Sequence, residues 1–201
     1  MGNVTSDISV SLDGFIAGAN DGVDNPLGDG GERLHEWIFG LASWRERHGL
    51  AGGENNRDSE IVEESVRDTG AVVLGRRMFD HAKGWGDDPP FHVPVFVLTH
   101  ERRDVLAKQG GTTFTFVTDG VESALAQARS AAGDKNVAVG GGASTIQQFL
   151  SAGLLDELQI HLVPVFLGGG VRLFDGLAAE LEATRVVESP GVTHLKFRVV
   201  K

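Results

Sequence analysis

The chain has 201 residues, enough for one sizeable core, with 41% hydrophobic and 23% charged residues, the balance of a soluble globular domain. It has no cysteine, which excludes disulfides, thiolate metal sites and cysteine nucleophiles together. Its net charge of −10 excludes a general nucleic-acid binder, whose surface must attract phosphates.

No apolar run approaches the ~20 residues that span a bilayer, so no membrane association is expected. The N-terminus lacks a basic region followed by an apolar one, so it is not read as a secretory signal. A cytoplasmic protein is expected, and Asn3-Val4-Thr5 is a chance match to a glycosylation sequon.

Residues 6–17 begin with Ile8, Val10 and Leu12 alternating with Ser9 and Ser11, the period of a strand. Gly18 to Gly31 is rich in glycine, Asp and Asn and reads as a long binding loop or lid. Glu32 to Trp44 is predicted to be a helix with Leu34, Trp37, Ile38 and Leu41 on one face, followed by a polar loop from Arg45 to Arg57. Asp58 or Ser59 is expected to cap the next helix, and Gly70 to stop it. The run Ala71–Leu74 that follows suggests a strand buried on both faces of a parallel sheet. Pro94–Thr99, Thr113–Thr118 and Val137–Val139 repeat that grammar, with a helix at Val121–Ala132.

Ser144 or Thr145 is expected to cap a further helix that ends at Gly153. Beyond it, Leu158, Ile160 and Leu162 alternate with Gln159, His161 and Val163. Leu195, Phe197 and Val199 alternate with Lys196 and Arg198 after a Ser189-Pro190-Gly191 turn. Such alternation around a turn is antiparallel in character. The expectation is one α/β domain over residues 1–201, its mostly parallel central sheet ending in an antiparallel hairpin.

Two segments stand out chemically. In Val137-Ala138-Val139-Gly140-Gly141-Gly142-Ala143-Ser144-Thr145 a strand ends, three glycines turn the chain, and a helix begins. Glycines let a ligand approach the backbone, and a helix start favours a phosphate; the plainer reading is a tight turn. Leu74-Gly75-Arg76-Arg77-Met78-Phe79 places two arginines after a buried strand, suited to a phosphate monoester or, more plainly, to nearby carboxylates. Leu98-Thr99-His100 is a third strand end of this kind, and ligands of open α/β sheets gather at such ends.

Leu167-Gly168-Gly169-Gly170-Val171-Arg172 reads as a flexible turn or a subunit contact. The histidines at 35, 48, 81, 92, 100, 161 and 194 show no metal-binding spacing, so no metal is expected. Asp13 is either the anchor of an Asx-turn or a residue facing the ligand. It is the first candidate for a proton donor, with Glu36 second; Glu32 and Glu36 otherwise form a solvated face and Trp37 is core.

In order, Ser11-Leu12-Asp13-Gly14-Phe15-Ile16-Ala17, Leu74–Phe79, Gly140–Gly142, Gly153-Leu154-Leu155-Asp156-Glu157-Leu158 and Val163-Pro164-Val165-Phe166-Leu167-Gly168-Gly169-Gly170 cover nearly the whole chain. This set resembles the three-layer dihydrofolate reductase-like fold, and more closely the C-terminal reductase domain of bacterial riboflavin-biosynthesis enzymes. The resemblance implies NADPH as cofactor and hydride transfer to a small heterocyclic or carbonyl-type substrate, bound near Asp13 and Trp37. It implies that Gly75, Arg76, Arg77, Leu98 and Thr99 lie along the cofactor, with an arginine and Thr99 at the 2′-phosphate. Gly140, Gly141, Gly142, Ala143, Ser144 and Thr145 would hold the pyrophosphate, and Ile16 and Ala17 would border the nicotinamide. A homodimer is expected from the resemblance and from the apolar alternating strands at 157–167. Classical folate reductases carry Pro-Trp and an acid in the first helix, where this chain reads Asn25-Pro26-Leu27-Gly28-Asp29. A true folate reductase and a non-catalytic NADPH-binding protein are the alternatives.

Overall fold

The computed structural model describes residues 2–201, so Met1, the first residue of the expected domain, lies outside it. Its strands are β1 (Val4–Ser11), β2 (Phe15–Ala17), β3 (Thr69–Gly75), β4 (Pro94–Leu98), β5 (Leu106–Ala107), β6 (Thr113–Val117), β7 (Asn136–Val139), β8 (Glu157–Val163), β9 (Val171–Arg172), β10 (Leu181–Ser189) and β11 (Val192–Val199). Its helices are α1 (Glu36–Phe39), α2 (Ala42–Arg47), α3 (Arg57–Asp68), α4 (Arg76–His81), α5 (Val121–Ala132) and α6 (Ala143–Ser151).

Nine strands form one sheet in the order β10-β11-β8-β1-β7-β3-β4-β6-β5. The run from β8 to β6 is parallel, while β5 is antiparallel to β6, β11 to β8, and β10 to β11. The sheet ends in an antiparallel C-terminal hairpin, as expected, but its strands are β10 and β11, joined at the Ser189-Pro190-Gly191 turn, and β10 is not among the expected strands. β8 is not part of that hairpin: it lies inside the sheet, parallel to β1 and antiparallel to β11. Its Leu158 is fully buried in the main core, so this strand offers no apolar edge to a second subunit.

Alternation sorts each strand's side chains between two layers. Ala71 and Val73 face the cluster with α5 and α6, where Ile146 and Phe149 are fully buried. Val72 and Leu74 face Phe79 of α4 and Phe114. Each such Val, Leu or Phe contributes about 1.5–3 kcal/mol of transfer free energy on burial. Helices thus cover both sheet faces, which gives three layers. Over β1, β8 and β11 the face beneath α3 is polar instead: it carries Asp7, Ser9, Gln159, His161 and His194.

Three local expectations are corrected. Glu32–Trp44 is not one helix but a 3-10 turn over Gly31–Leu34 followed by α1 and α2. Gly40 ends α1 and Leu41 is extended, pairing with Glu54, so glycine and a bridge to the following loop override the apolar period. α3 is capped by Asn56, whose side chain accepts from the Asp58 and Ser59 N–H groups while the Ser59 hydroxyl accepts from the Asn56 N–H. The helix ends where expected, with Thr69 as its C-cap and Gly70 directly after it, already within β3 and pressed against Ala132. α6 likewise begins at Gly142 with no side-chain cap, so neither Ser144 nor Thr145 caps it.

Candidate active site

The carboxyl ends of β3, β4 and β6 and the start of α6 open on a single cleft of about 1320 Å³. Parallel strands put these ends on one edge, and each connection leaves the sheet there. Gly75, Arg76, Arg77, Leu98, Thr99, Thr118, Gly141, Gly142, Ala143, Ser144 and Thr145 line it, with Ile16 and Ala17 of β2 opposite. A Cβ on Gly75 would lie 2.6 Å from Thr145 Oγ1, so glycine permits β3 and α6 to meet here. The Gly141–Gly142 peptide is cis. Gly142 has no side chain to cap α6, so although the Thr145 N–H donates to Gly142 O at 3.1 Å, no side chain takes up the Ala143 and Ser144 N–H groups, which face an external acceptor.

Arg76 supplies the fixed charge of this edge. Its Nε donates to Asp80 at 2.5 Å, and its Nη1 donates to Glu101 at 3.0 Å and to Thr99 Oγ1 at 3.3 Å. Its hydrogen bonds to Glu101 first, then to Asp80, raise its pKa, so it stays charged throughout. Arg103 contacts the same two carboxylates at 3.5 and 3.9 Å. Arg77 is more exposed and pairs with Asp21 at 2.5 Å.

The other end of the cleft is aromatic and acidic. The Trp37 Nε1–H donates to Ser9 Oγ at 3.1 Å, and its ring sits 4.6 Å from that of His161. His161 Nε2 donates to the Asp7 carboxylate, and its Nδ1 lies 2.6 Å from Nδ1 of His194. His194 Nε2 donates to Asp58 at 3.0 Å. Burial raises the Asp7 pKa, but the His161 charge and its hydrogen bond outweigh it, so the carboxyl is held below its usual range. Burial, joined by the His161 charge, lowers the His194 pKa against the pull of Asp58. His35 also lines the cleft; burial lowers its pKa, and its buried Nδ1 has no hydrogen-bond partner among the described residues.

The candidate site residues divide accordingly. The strand-end set and Trp37 come together, with one exception: Gly140 bonds Val73 O and packs on Leu74, off the cleft. Asp13, the first candidate proton donor, is spent elsewhere. It accepts from the Ser11 hydroxyl at 2.6 Å and from the N–H groups of Gly168 at 2.7 Å and Leu167 at 3.2 Å. The Ser11 bond, ahead of these backbone bonds, lowers its pKa, and its carboxylate does not line the cleft. The 167–172 glycine segment is therefore a loop pinned by Asp13, not a flexible turn. Glu36 is exposed to solvent and also stands off the cleft. Sequence reasoning missed Asp7, His161, His194 and Asp58. The available signal was Gln159 and His161 on the polar side of a strand whose other side is Leu158 and Ile160.

Among the described residues no helix is long and apolar enough to cross a membrane, and no His, Asp or Glu group is arranged to hold a metal.

The family model of the RibD C-terminal domain matches residues 3–195. The chain is 26% identical over 173 residues to the uncharacterized protein YwjB of Bacillus subtilis (strain 168), covering 86% of this chain and 83% of that one. It is similar to the solved structure of a protein named for riboflavin biosynthesis from Shewanella sp. PV-4, with 25% identity, a TM-score of 0.71 and full coverage of both chains. Dihydrofolate reductase from Enterococcus faecalis, solved with NADP(H), shares the fold at 14% identity and a TM-score of 0.58, over 100% of this chain and 98% of that one.

Proposed function

The chain belongs to the RibD C-terminal domain family, and from that premise we propose that it is an NADPH-dependent reductase of a small heterocyclic or carbonyl-type substrate. The observation that carries the reading is the convergence of three strand ends and an uncapped helix start on one cleft, with a charged arginine at its rim. Those donors fit a dinucleotide. The first turn of α6 and the Ser144 hydroxyl would hold the pyrophosphate, and Arg76 with Thr99 would hold the 2′-phosphate. Ile16 and Ala17 would border the nicotinamide as an apolar wall. Bound there, the cofactor supplies the hydride, and the protein supplies orientation and electrostatics.

The 25%-identical Shewanella protein is named for riboflavin biosynthesis, which supports a pyrimidine-type substrate. Neither Glu32 nor Glu36 faces the cleft, so the acid that a folate reductase places on its first helix has no counterpart there. The test is an NADPH-oxidation assay with 5-amino-6-(5-phosphoribosylamino)uracil, dihydrofolate and simple carbonyl compounds. Oxidation with the pyrimidine supports the reading. Tight NADPH binding without oxidation by any of them supports the non-catalytic alternative.

We read the protein as a homodimer in the cytoplasm. With β8 interior, the support for a dimer shifts to exposed Phe166 and Leu12 beside the pinned glycine loop and to Val186 on the edge strand β10. Sedimentation of wild type and Phe166→Glu tests it.

A further inference from the structure

The reductase reading leaves the proton donor unassigned, because Asp13 and Glu36 both stand off the cleft. A buried chain of four side chains runs from the cleft into the protein: Asp7, His161, His194, Asp58. It is built by register. Ser9 pairs with His161 across β1 and β8, and His161 faces His194 across β8 and β11, so both rings share the polar face that α3 closes with Asp58.

The hydrogen bonds fix the proton inventory. An ionised carboxylate only accepts, so the ring nitrogens facing Asp7 and Asp58 each carry a proton. The two Nδ1 atoms at 2.6 Å need one more between them. Two neutral imidazoles bring only one proton each, so the pair holds an extra one and a single positive charge between two carboxylates. Neighbouring cations do not replace it. Arg185 is committed to Glu64 and Gln159, at 2.6 and 2.9 Å, and Lys196 is committed to Glu157 at 2.9 Å and Glu64 at 3.7 Å. His35, on the loop opposite, is driven toward its neutral form by burial.

Exposure gives the chain a direction. The side chains of His194, His161 and Asp58 are 2, 5 and 8% exposed, whereas that of Asp7 is 29% exposed and lines the cleft. We propose that Asp7 and His161 form the proton-donating couple of this cleft, loaded by the proton that His161 shares with His194. This rests on the reductase reading. A substrate C=N or C=O bond would take a hydride at carbon from the reduced nicotinamide, which becomes oxidised, and a proton at its heteroatom that leaves His161 Nε2 and crosses the Asp7 carboxylate, itself ionised before and after the step. The histidine pair, left neutral, regains that proton from solvent through the cleft after product leaves. The residues in direct reach of substrate are Asp7 and His161. His194 and Asp58 act through them and are positioning residues.

The first arm of the test is a ¹⁵N NMR titration of the histidine rings in the free protein. The expected result is one linked ionisation of His161 and His194 with a far-downfield shared proton, lost in Asp58→Asn. Two rings that titrate independently would overturn the couple, whatever the protein reduces. The second arm compares single-turnover reduction of 5-amino-6-(5-phosphoribosylamino)uracil by wild type, Asp7→Asn and His161→Gln. The expectation is a loss of about 100-fold or more, the scale of a positioned acid, with NADPH affinity unchanged. Variants that bind NADPH and turn over like wild type overturn the couple. Failure of wild type to bind NADPH sinks the reductase reading and the donor role together. If wild type binds NADPH but leaves the pyrimidine unreduced, the NMR arm alone decides. Asp58→Asn adds a readout that mere loss of packing would not give: the acid limb of the turnover pH profile moves while NADPH affinity stays.

Discussion

The Cα of Gly75 and the side chain of Thr145 stand so close that a Cβ on Gly75 would lie 2.6 Å from Thr145 Oγ1. This contact joins the end of β3 to the first turn of α6, the two elements that meet where a pyrophosphate would lie. Gly75 has φ near −83°, so the requirement is for space rather than for a left-handed backbone. Gly75→Ala is expected to cost about 1–3 kcal/mol through overpacking and to weaken NADPH binding. Thr145→Ala in the same chain removes the opposing oxygen and should restore most of the stability. Urea melts of the single and double variants check this, and a double variant no better than Gly75→Ala contradicts it.

Arg76 is held between Asp80 and Glu101 in the free protein, so a 2′-phosphate would have to draw its guanidinium from Glu101. Arg76→Ala should weaken NADPH binding by about 10-fold or more, about 1.4 kcal/mol, and leave NADH binding nearly unchanged. Glu101→Gln should tighten NADPH binding, because it removes the competing acceptor. Fluorescence titrations with both nucleotides decide, and equal losses for NADPH and NADH would remove Arg76 from the 2′-phosphate.

Stability should fall with acid in two stages. The folded-state pKa values of His35 and His194 are both lowered, so the unfolded chain binds more protons there. Their contribution is complete above the usual histidine value of about 6.5 and is lost as pH falls through their folded values. Asp7, also lowered, contributes above about 3.9 and loses its contribution at still lower pH. Urea unfolding from pH 8 downward should show a decline beginning near pH 6.5, and His35→Gln should flatten it. A free energy flat down to pH 5 would show that these rings titrate alike in both states.

Asn56 accepts from two backbone N–H groups at the start of α3, the helix that brings Asp58 to His194. Asn56→Ala should cost about 1 kcal/mol and should also disturb the His194 ring resonance. A stability loss with no change at His194 would uncouple the cap from the buried chain.

Much of the fold was legible because local signals and tertiary packing agree. The helix Val121–Ala132 has the bounds its apolar period implies, and the run Ala71–Leu74 is buried on both sides. Glu32–Trp44 was misread because Gly40 and the Leu41–Glu54 bridge lie outside what periodicity can express. The cap of α3 lies two or three residues before the expected Asp58 or Ser59, because Asn56, Asp58 and Ser59 are all competent and geometry alone chooses. β10 was not foreseen: Leu181–Ser189 carries mixed polar residues suited to an exposed edge. At the site, the glycine and arginine signals are contiguous and were visible. The chain Asp7–His161–His194–Asp58 comes from four separate elements, and only the pairing of β1, β8 and β11 brings it together. Asp13 misleads because an Asp before Gly at a strand end suits a ligand as well as the commoner role of loop anchor, and the partner of that anchor lies far off in sequence at Gly168.

The most direct test of the account is a titration of the protein with NADPH and, separately, NADH, followed by tryptophan fluorescence. Trp37 and Trp85 both line the cleft and should report its filling. The account predicts saturable quenching by NADPH, one molecule per chain, with markedly weaker binding of NADH. No quenching and no binding of either nucleotide at millimolar concentration would contradict it.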